Sequence, residues 1–224
     1  VWCCCCLLAW PAAAERVLYI PLDDRPVSLA YPVDAFAAAG LEVVTPPEAL
    51  LASRWRRGDP DGLLTWLEEQ APGASGAVVS SDSILYGGLV PSRTHHEAET
   101  ALQGRLARLN RLAEGPLPLR LYVFSTVMRT PRVSAGGTEP PYYEQWGGDL
   151  FRLSALADKA SQRQLPALEQ AEQAALAARV PAAVRDDWEQ RRQLNERMNE
   201  RLLAALAAHK YAYFVLGRDD TAVY

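Results

Sequence analysis

The stretch Arg16-Val-Leu-Tyr-Ile-Pro-Leu-Asp-Asp-Arg-Pro26 decides the reading of the fold. An apolar run ends abruptly at a proline and then at two adjacent carboxylates. The run alternates little, which is the pattern of a strand covered on both faces of a parallel sheet. Its apolar part, Arg16–Leu22, is followed by four runs of the same kind: Leu41–Thr45, Gly76–Ser80, Leu119–Ser125 and Tyr211–Leu216. Helical patterns separate them, over about 31–39, 60–70, 95–114, 148–178 and 182–209. Strand–helix alternation predicts an α/β fold. Two architectures satisfy this order. One is an open, doubly wound, Rossmann-like parallel sheet flanked by helices. The alternative is part of a TIM-like (β/α)8 barrel. Both place function at the carboxyl ends of the strands.

Local signals refine the pattern. Gly40 suits the position after a helix and before a strand. Thr94-His95-His96-Glu97 fits a capping box that opens the third helix, which puts both histidines at the surface. Adjacent histidines diverge by about 100° on a helix, so the pair does not face one metal together. The segment 127–147 is the least regular, and a loop of that length inside a compact domain is usually functional or mobile. The helices over about 148–209 exceed what a simple crossover needs and read as a long helical insertion. Pro181 marks the joint between them.

The chain has 224 residues, 49% hydrophobic and 22% charged, which is ordinary for a folded domain and excludes a disordered tail. A net charge of −4 and a pI of about 5.5 give no electrostatic footprint for nucleic acid. Lysines number 2 against 21 arginines, a skew that reads as base composition of the gene. The four cysteines are consecutive, Cys3 to Cys6, which excludes a disulfide framework and a spaced thiolate site. They fall in an apolar run that continues to Pro11 and Ala12-Ala-Ala14. That shape is expected of a signal-peptide remnant over residues 1–14, with an exported α/β domain over 15–224. The run is too short to span a bilayer. The chain stops just after an apolar strand whose edge would lie open, so a C-terminal truncation is expected.

Polar residues gather where the strands finish. Asp23, Asp24, Asp82, Asp219 and Asp220 are the candidate catalytic carboxylates, because converging carboxylates separate acid from base or hold a divalent cation through oxygen ligands. Arg25, Tyr86, Arg93, Arg129, Tyr143, Trp146, Asn195 and Asn199 are the candidate ligand-binding residues. The arginines suit an anionic group, or hold the carboxylates ionised. The competing reading of each Asp-Asp pair is a turn or a helix cap. Tyr142, Tyr143 and Trp146 either stack on a sugar face or anchor their loop by apolar burial. Arg192, Asn195 and Asn199 share one helix face and either reach a buried polar site or are solvated. Gly87-Gly88 permits a tight turn; the Walker spacing and Gly-x-Gly-x-x-Gly are absent, so no nucleotide cofactor is expected.

These same motifs resemble a bacterial family known only as domain of unknown function 4127. The resemblance rests on Ile20–Pro26, Ser81-Asp82, Leu85–Val90, Ser92-Arg93, Met128-Arg129, Arg192 with Asn195 and Asn199, and Asp219-Asp220. Leu194 departs from the pattern, where a polar or basic residue is expected. Family members are about twice as long, which agrees with truncation. The family supplies no catalytic roles. The residues themselves lead to an exported hydrolase acting on glycans or another small molecule. The alternatives are a divalent-metal enzyme using the same carboxylates, and a non-catalytic exported ligand-binding protein.

Overall fold

A computed structural model of the chain describes residues 14–114, 118–133 and 136–218. The proposed leader up to Ala13 and the pair Asp219-Asp220 lie outside the described residues. The five strands are β1 (Arg16–Ile20), β2 (Glu42–Val44), β3 (Gly76–Ser80), β4 (Arg120–Val127) and β5 (Tyr213–Arg218). Every neighbouring pair is parallel, and the order is β2-β1-β3-β4-β5. The fold is therefore α/β and doubly wound. The barrel alternative is corrected by one pairing. A barrel sets each strand beside the next in sequence, whereas here β1 lies between β2 and β3, with Val17 opposite both Val43 and Gly76. The winding direction reverses between β1 and β3, and a crevice opens at such a point beyond the carboxyl ends.

The helices are α1 (Ala30–Ala38), α2 (Pro60–Gln70), α3 (Ser81–Tyr86), α4 (Leu89–Thr94), α5 (Glu99–Arg111), α6 (Tyr143–Gln162), α7 (Ala167–Arg179) and α8 (Ala182–Ala207). The start of α2 shows why its bounds are readable in the sequence. The Asp59 carboxylate accepts the Gly62 N–H at 3.0 Å, and Pro60 occupies the first turn, where its missing N–H costs nothing. One sheet face presents Leu18, Ile20, Ala77, Val79, Leu121 and Val123 to Leu63, Leu64 and Leu67 of α2, Leu102, Leu106 and Leu109 of α5, and Met198, Leu202 and Ala205 of α8. Each Leu, Ile, Val or Met among them contributes about 1.5–3 kcal/mol on burial. The other face is covered less. Phe36 of α1 meets Tyr19 edge-on at 6.0 Å between ring centroids, while Tyr213 and Val215 stay exposed. The expectation of cover on both faces thus fails at β5, where no helix lies over them among the described residues.

Three local expectations change. The helix over 148–178 is two helices: Arg163 is extended and ends α6, and Pro166 caps the start of α7. The insertion is not set apart from the sheet, since α8 packs on β4, β5 and α5. The capping box at Thr94 does not form. Thr94 ends α4 and its hydroxyl donates back to the Val90 carbonyl at 3.2 Å, while α5 begins only at Glu99.

The turn at Gly87-Gly88 closes α3 and opens α4. Both residues have left-handed backbone, with φ of 91° and 119°. A Cβ on Gly87 would lie 2.7 Å from Arg57 Cγ, and one on Gly88 would overlap the Ala52 side chain. Strain and overlap act together at Gly88, so Gly88→Ala is expected to destabilise the protein by about 2–4 kcal/mol. Urea denaturation of both proteins measures this, and an unchanged midpoint contradicts it.

Candidate functional site

The site begins where β3 passes into α3 without a loop. Ser80 ends the strand and its side chain accepts the Ser83 N–H at 3.3 Å, capping the helix. Helical geometry then projects Asp82 and Ser83 in different directions. The Ser83 hydroxyl donates to the carbonyls of Pro21 (2.6 Å) and Leu22 (3.1 Å), at the end of β1. The buried Asp82 carboxylate accepts the Thr126 N–H at 3.0 Å and the Thr126 hydroxyl at 3.1 Å, at the end of β4. Three strand ends are thereby joined. Burial, and secondly the Asp82 charge, push the Tyr86 hydroxyl well above its usual range.

The first strand end carries two carboxylates with different surroundings. Asp23 is buried and accepts from Arg25, at 3.2 Å from its N–H and 2.8 Å from Nε. This is the turn-forming role that an Asp in such a pair often has. Asp24 is half-buried, and its N–H is fixed to the Ala52 carbonyl at 2.9 Å. Among the described residues its carboxylate has no hydrogen bond or ion pair.

A second polar chain descends from α8. Asn195 is buried; its Nδ2 donates to the Ser92 carbonyl at 2.8 Å, so its Oδ1 is the acceptor toward His95 Nε2, also 2.8 Å away. His95 then carries its proton on Nε2 and accepts the Glu97 N–H through Nδ1 at 3.2 Å. Its ring stacks on Tyr86 at 4.5 Å between centroids. His95 is therefore a buried, neutral group, not a surface cap. One turn further on, Asn199 accepts from the Ser125 hydroxyl at 2.6 Å and donates to the Thr126 carbonyl at 3.3 Å. Arg192 donates to the Met128 carbonyl at 2.9 Å and to Thr130 Oγ1 at 2.7 Å. The α8 face reaches a polar site and is not merely solvated. A cleft of about 480 Å³ opens beside it, lined by Met128, Arg192, Asn195, Glu196, Asn199 and Leu203.

The irregular segment after β4 is held by charge and by aromatic burial. Arg129 reaches Glu139 at 2.6 Å, and Arg93 approaches the same oxygen at 3.6 Å; the Glu139 side chain is fully buried. Tyr143 is buried, donates its hydroxyl to the Pro131 carbonyl at 2.6 Å and packs on Trp188 at 4.9 Å. Trp146 packs against the same small core. Tyr143 therefore anchors the loop and is closed to a sugar face, while Trp146 anchors it with part of its ring still exposed. Glu139 and Thr126 are not singled out by the sequence, and His95 is read there only as a surface cap. Glu139 lies between Gly136-Gly137 and Pro140-Pro141, where no periodicity exists to mark it as buried. Among the described residues, no three His, Cys, Asp or Glu side chains are placed to hold a metal ion. No helix among them is long and apolar enough to cross a membrane.

The family model described as Protein of unknown function (DUF4127) matches residues 17–224. The chain belongs to the DUF4127 family. Comparison with curated proteins and with solved structures returned no match. In this DUF4127 protein the residues Asp23, Asp24, Asp82, Tyr86, Arg93, Arg129, Asn195 and Asn199 all lie at or beside the carboxyl edge of the sheet, together with Arg25.

Burial is the main cause that lowers the His95 pKa from 6.5 to about 4, with the nearby Arg191 charge adding to it and the Asn195 bond opposing it. A depressed folded pKa means that the unfolded chain takes up this proton first. The contribution is intact above pH 6.5 and is lost as pH falls toward about 4, on the order of 3 kcal/mol over the window. Stability measured by urea denaturation should fall across that window. In His95→Gln that part of the slope should be missing; an identical slope contradicts the assignment.

Proposed function

We propose that this protein is an exported hydrolase acting on a small polar or glycan-type ligand at the carboxyl edge of its sheet. One observation carries the reading. Of three aspartates on the adjacent ends of β1 and β3, two are held by fixed partners, and the third, Asp24, is half-buried with a carboxylate that has no partner among the described residues. A group that exchanges protons with a reacting atom must reach it directly or through one water. The Asp24 carboxylate is available for that role, and Asp23 and Asp82 build the turn and the strand junction next to it. The arrangement suits activation of a water or protonation of a leaving group, with the polar edge of β4 and α8 binding the ligand. The Val1–Ala14 composition supports the exported setting.

The full engagement of Asp23 and Asp82 favours one second reading, a ligand-binding protein without turnover. Asp24→Asn separates the two. A hydrolysis screen over glycans and phosphoesters should show turnover for the native protein, reduced about 10²–10⁴-fold in the variant, with an unchanged denaturation midpoint. Ligand-induced thermal stabilisation without product in either protein would instead establish the binding role.

A further inference from the structure

We infer that a basic hollow beside the aspartates is a subsite for a saccharide carrying an oxyanion, either a carboxylate or a phosphate. Three connections that leave carboxyl ends of strands form it: Ser53–Arg57 after β2, the residues from Val90 to Glu97 around α4, and Gly137 after β4. Its volume is about 380 Å³, enough for one sugar ring with its substituents. Its basic turn is tied to the backbone at Asp24, whose N–H is bonded to the carbonyl of Ala52, one residue before that turn.

The sequence Ser53-Arg54-Trp55-Arg56-Arg57 sets three guanidinium groups and an indole on one tight turn. Ser53 builds the turn. Its side chain accepts the N–H groups of Trp55 (3.3 Å) and Arg56 (3.1 Å), and its own N–H donates to the Arg56 carbonyl at 2.9 Å. Arg56 fixes the turn to the body by donating to the carbonyls of Ala49 (2.6 Å) and Glu48 (3.1 Å). Arg57 does the same through the Tyr86 carbonyl at 2.9 Å and the Glu97 carboxylate at 2.5 Å.

The charges are not balanced. Arg57, Arg105 and Arg108 each lie against a carboxylate. Arg54 and Arg56 have none among the described residues, although the protein as a whole is acidic. Arg54 makes no hydrogen bond there; its guanidinium sits 4.5 Å from the centre of the Trp55 ring. Stacking on an indole orders the guanidinium plane while leaving its N–H fork free, the state that binds an oxyanion in bidentate fashion. Trp55 is 72% exposed, a large apolar area for a ring at the tip of a well-tied turn. A flat amphipathic ring beside a free guanidinium matches a sugar face bearing an acidic substituent. His96 lies at the rim but faces the Asp187 carboxylate at 3.6 Å, so the unbalanced charge rests on Arg54 and Arg56.

This subsite rests on the hydrolase reading only for the statement that the bound saccharide is turned over; binding stands by itself. Calorimetric titration of the intact protein at low salt tests it with four probes: a glucuronate oligosaccharide, a sugar phosphate, a neutral glucose oligosaccharide and inorganic phosphate. A charged saccharide should bind more tightly than both the neutral one and phosphate alone. Which charged saccharide binds better identifies the anion. Arg54→Ala and Trp55→Ala should each weaken that binding by about tenfold, and both side chains are exposed, so the fold is retained. Added salt should weaken wild type more than Arg54→Ala. Equal binding of neutral and charged saccharides, unaltered affinity in both variants, or no binding of either charged saccharide overturns the inference. Because no readout uses turnover, an inactive protein that binds the charged probe fails the hydrolase reading alone.

Discussion

The passage of β3 directly into α3 is the constraint on which the carboxyl edge depends. With no loop between strand and helix, Ser80, Asp82 and Ser83 are forced into a single helical turn at the point where the winding reverses. Two of the three then reach outward, Ser83 to the carbonyls ending β1 and Asp82 to Thr126 ending β4. These bonds sit in a dry environment, where leaving one partner unsatisfied costs more than the bond itself contributes. The crevice at the reversal therefore has a fixed floor. The Gly87-Gly88 turn completes the constraint, since only residues without Cβ let α4 fold back against the loop that carries Ala52 and Arg57.

What the sequence made legible follows from which signals are local. The strands were readable because unbroken Val, Leu and Ile runs occur where a sheet is buried, and α2 was readable because Asp59, Pro60 and the spacing of its leucines agree. Strand order was not readable. Open sheets and barrels share the same alternation, and only the pairing of β1 with β3 separates them. The short helices α3 and α4 were missed for a physical reason. All six residues of α3 are buried, so the segment has no polar face and no helical periodicity to detect.

Within the site, legibility stopped at partners distant in sequence. The acidic strand ends could be placed on one edge by topology alone, and Asp23, Asp24 and Asp82 are there. The role of each could not be read, because it depends on contacts such as Asp82 with Thr126, 44 positions away. His95 shows the same limit. Its neighbours spell a capping box, yet Asn195, 100 positions on, takes it into the interior as a neutral ring. Tertiary burial outweighed a cap that is worth about 1 kcal/mol.

The arginine-rich composition acquires a structural meaning that lysine would not supply. At the carboxyl edge, guanidinium groups hold irregular segments by reaching two acceptors at once: Arg129 spans Glu139 and Thr138, Arg57 spans Tyr86 and Glu97, and Arg192 spans Met128 and Thr130. A planar fork loses less freedom per bond than a flexible ammonium, so loops held this way are well defined without regular secondary structure. Acidic groups on that edge are largely consumed in the same task. Asp23, Asp82, Glu97 and Glu139 all serve as acceptors for the scaffold. Asp24 and Arg54 stand outside this pattern: among the described residues the Asp24 carboxylate has no hydrogen bond or ion pair, and the Arg54 guanidinium has only the Trp55 ring beside it. The scaffold satisfies most of the charges around them without using those two, and this difference is the physical basis for proposing them as ligand-facing groups.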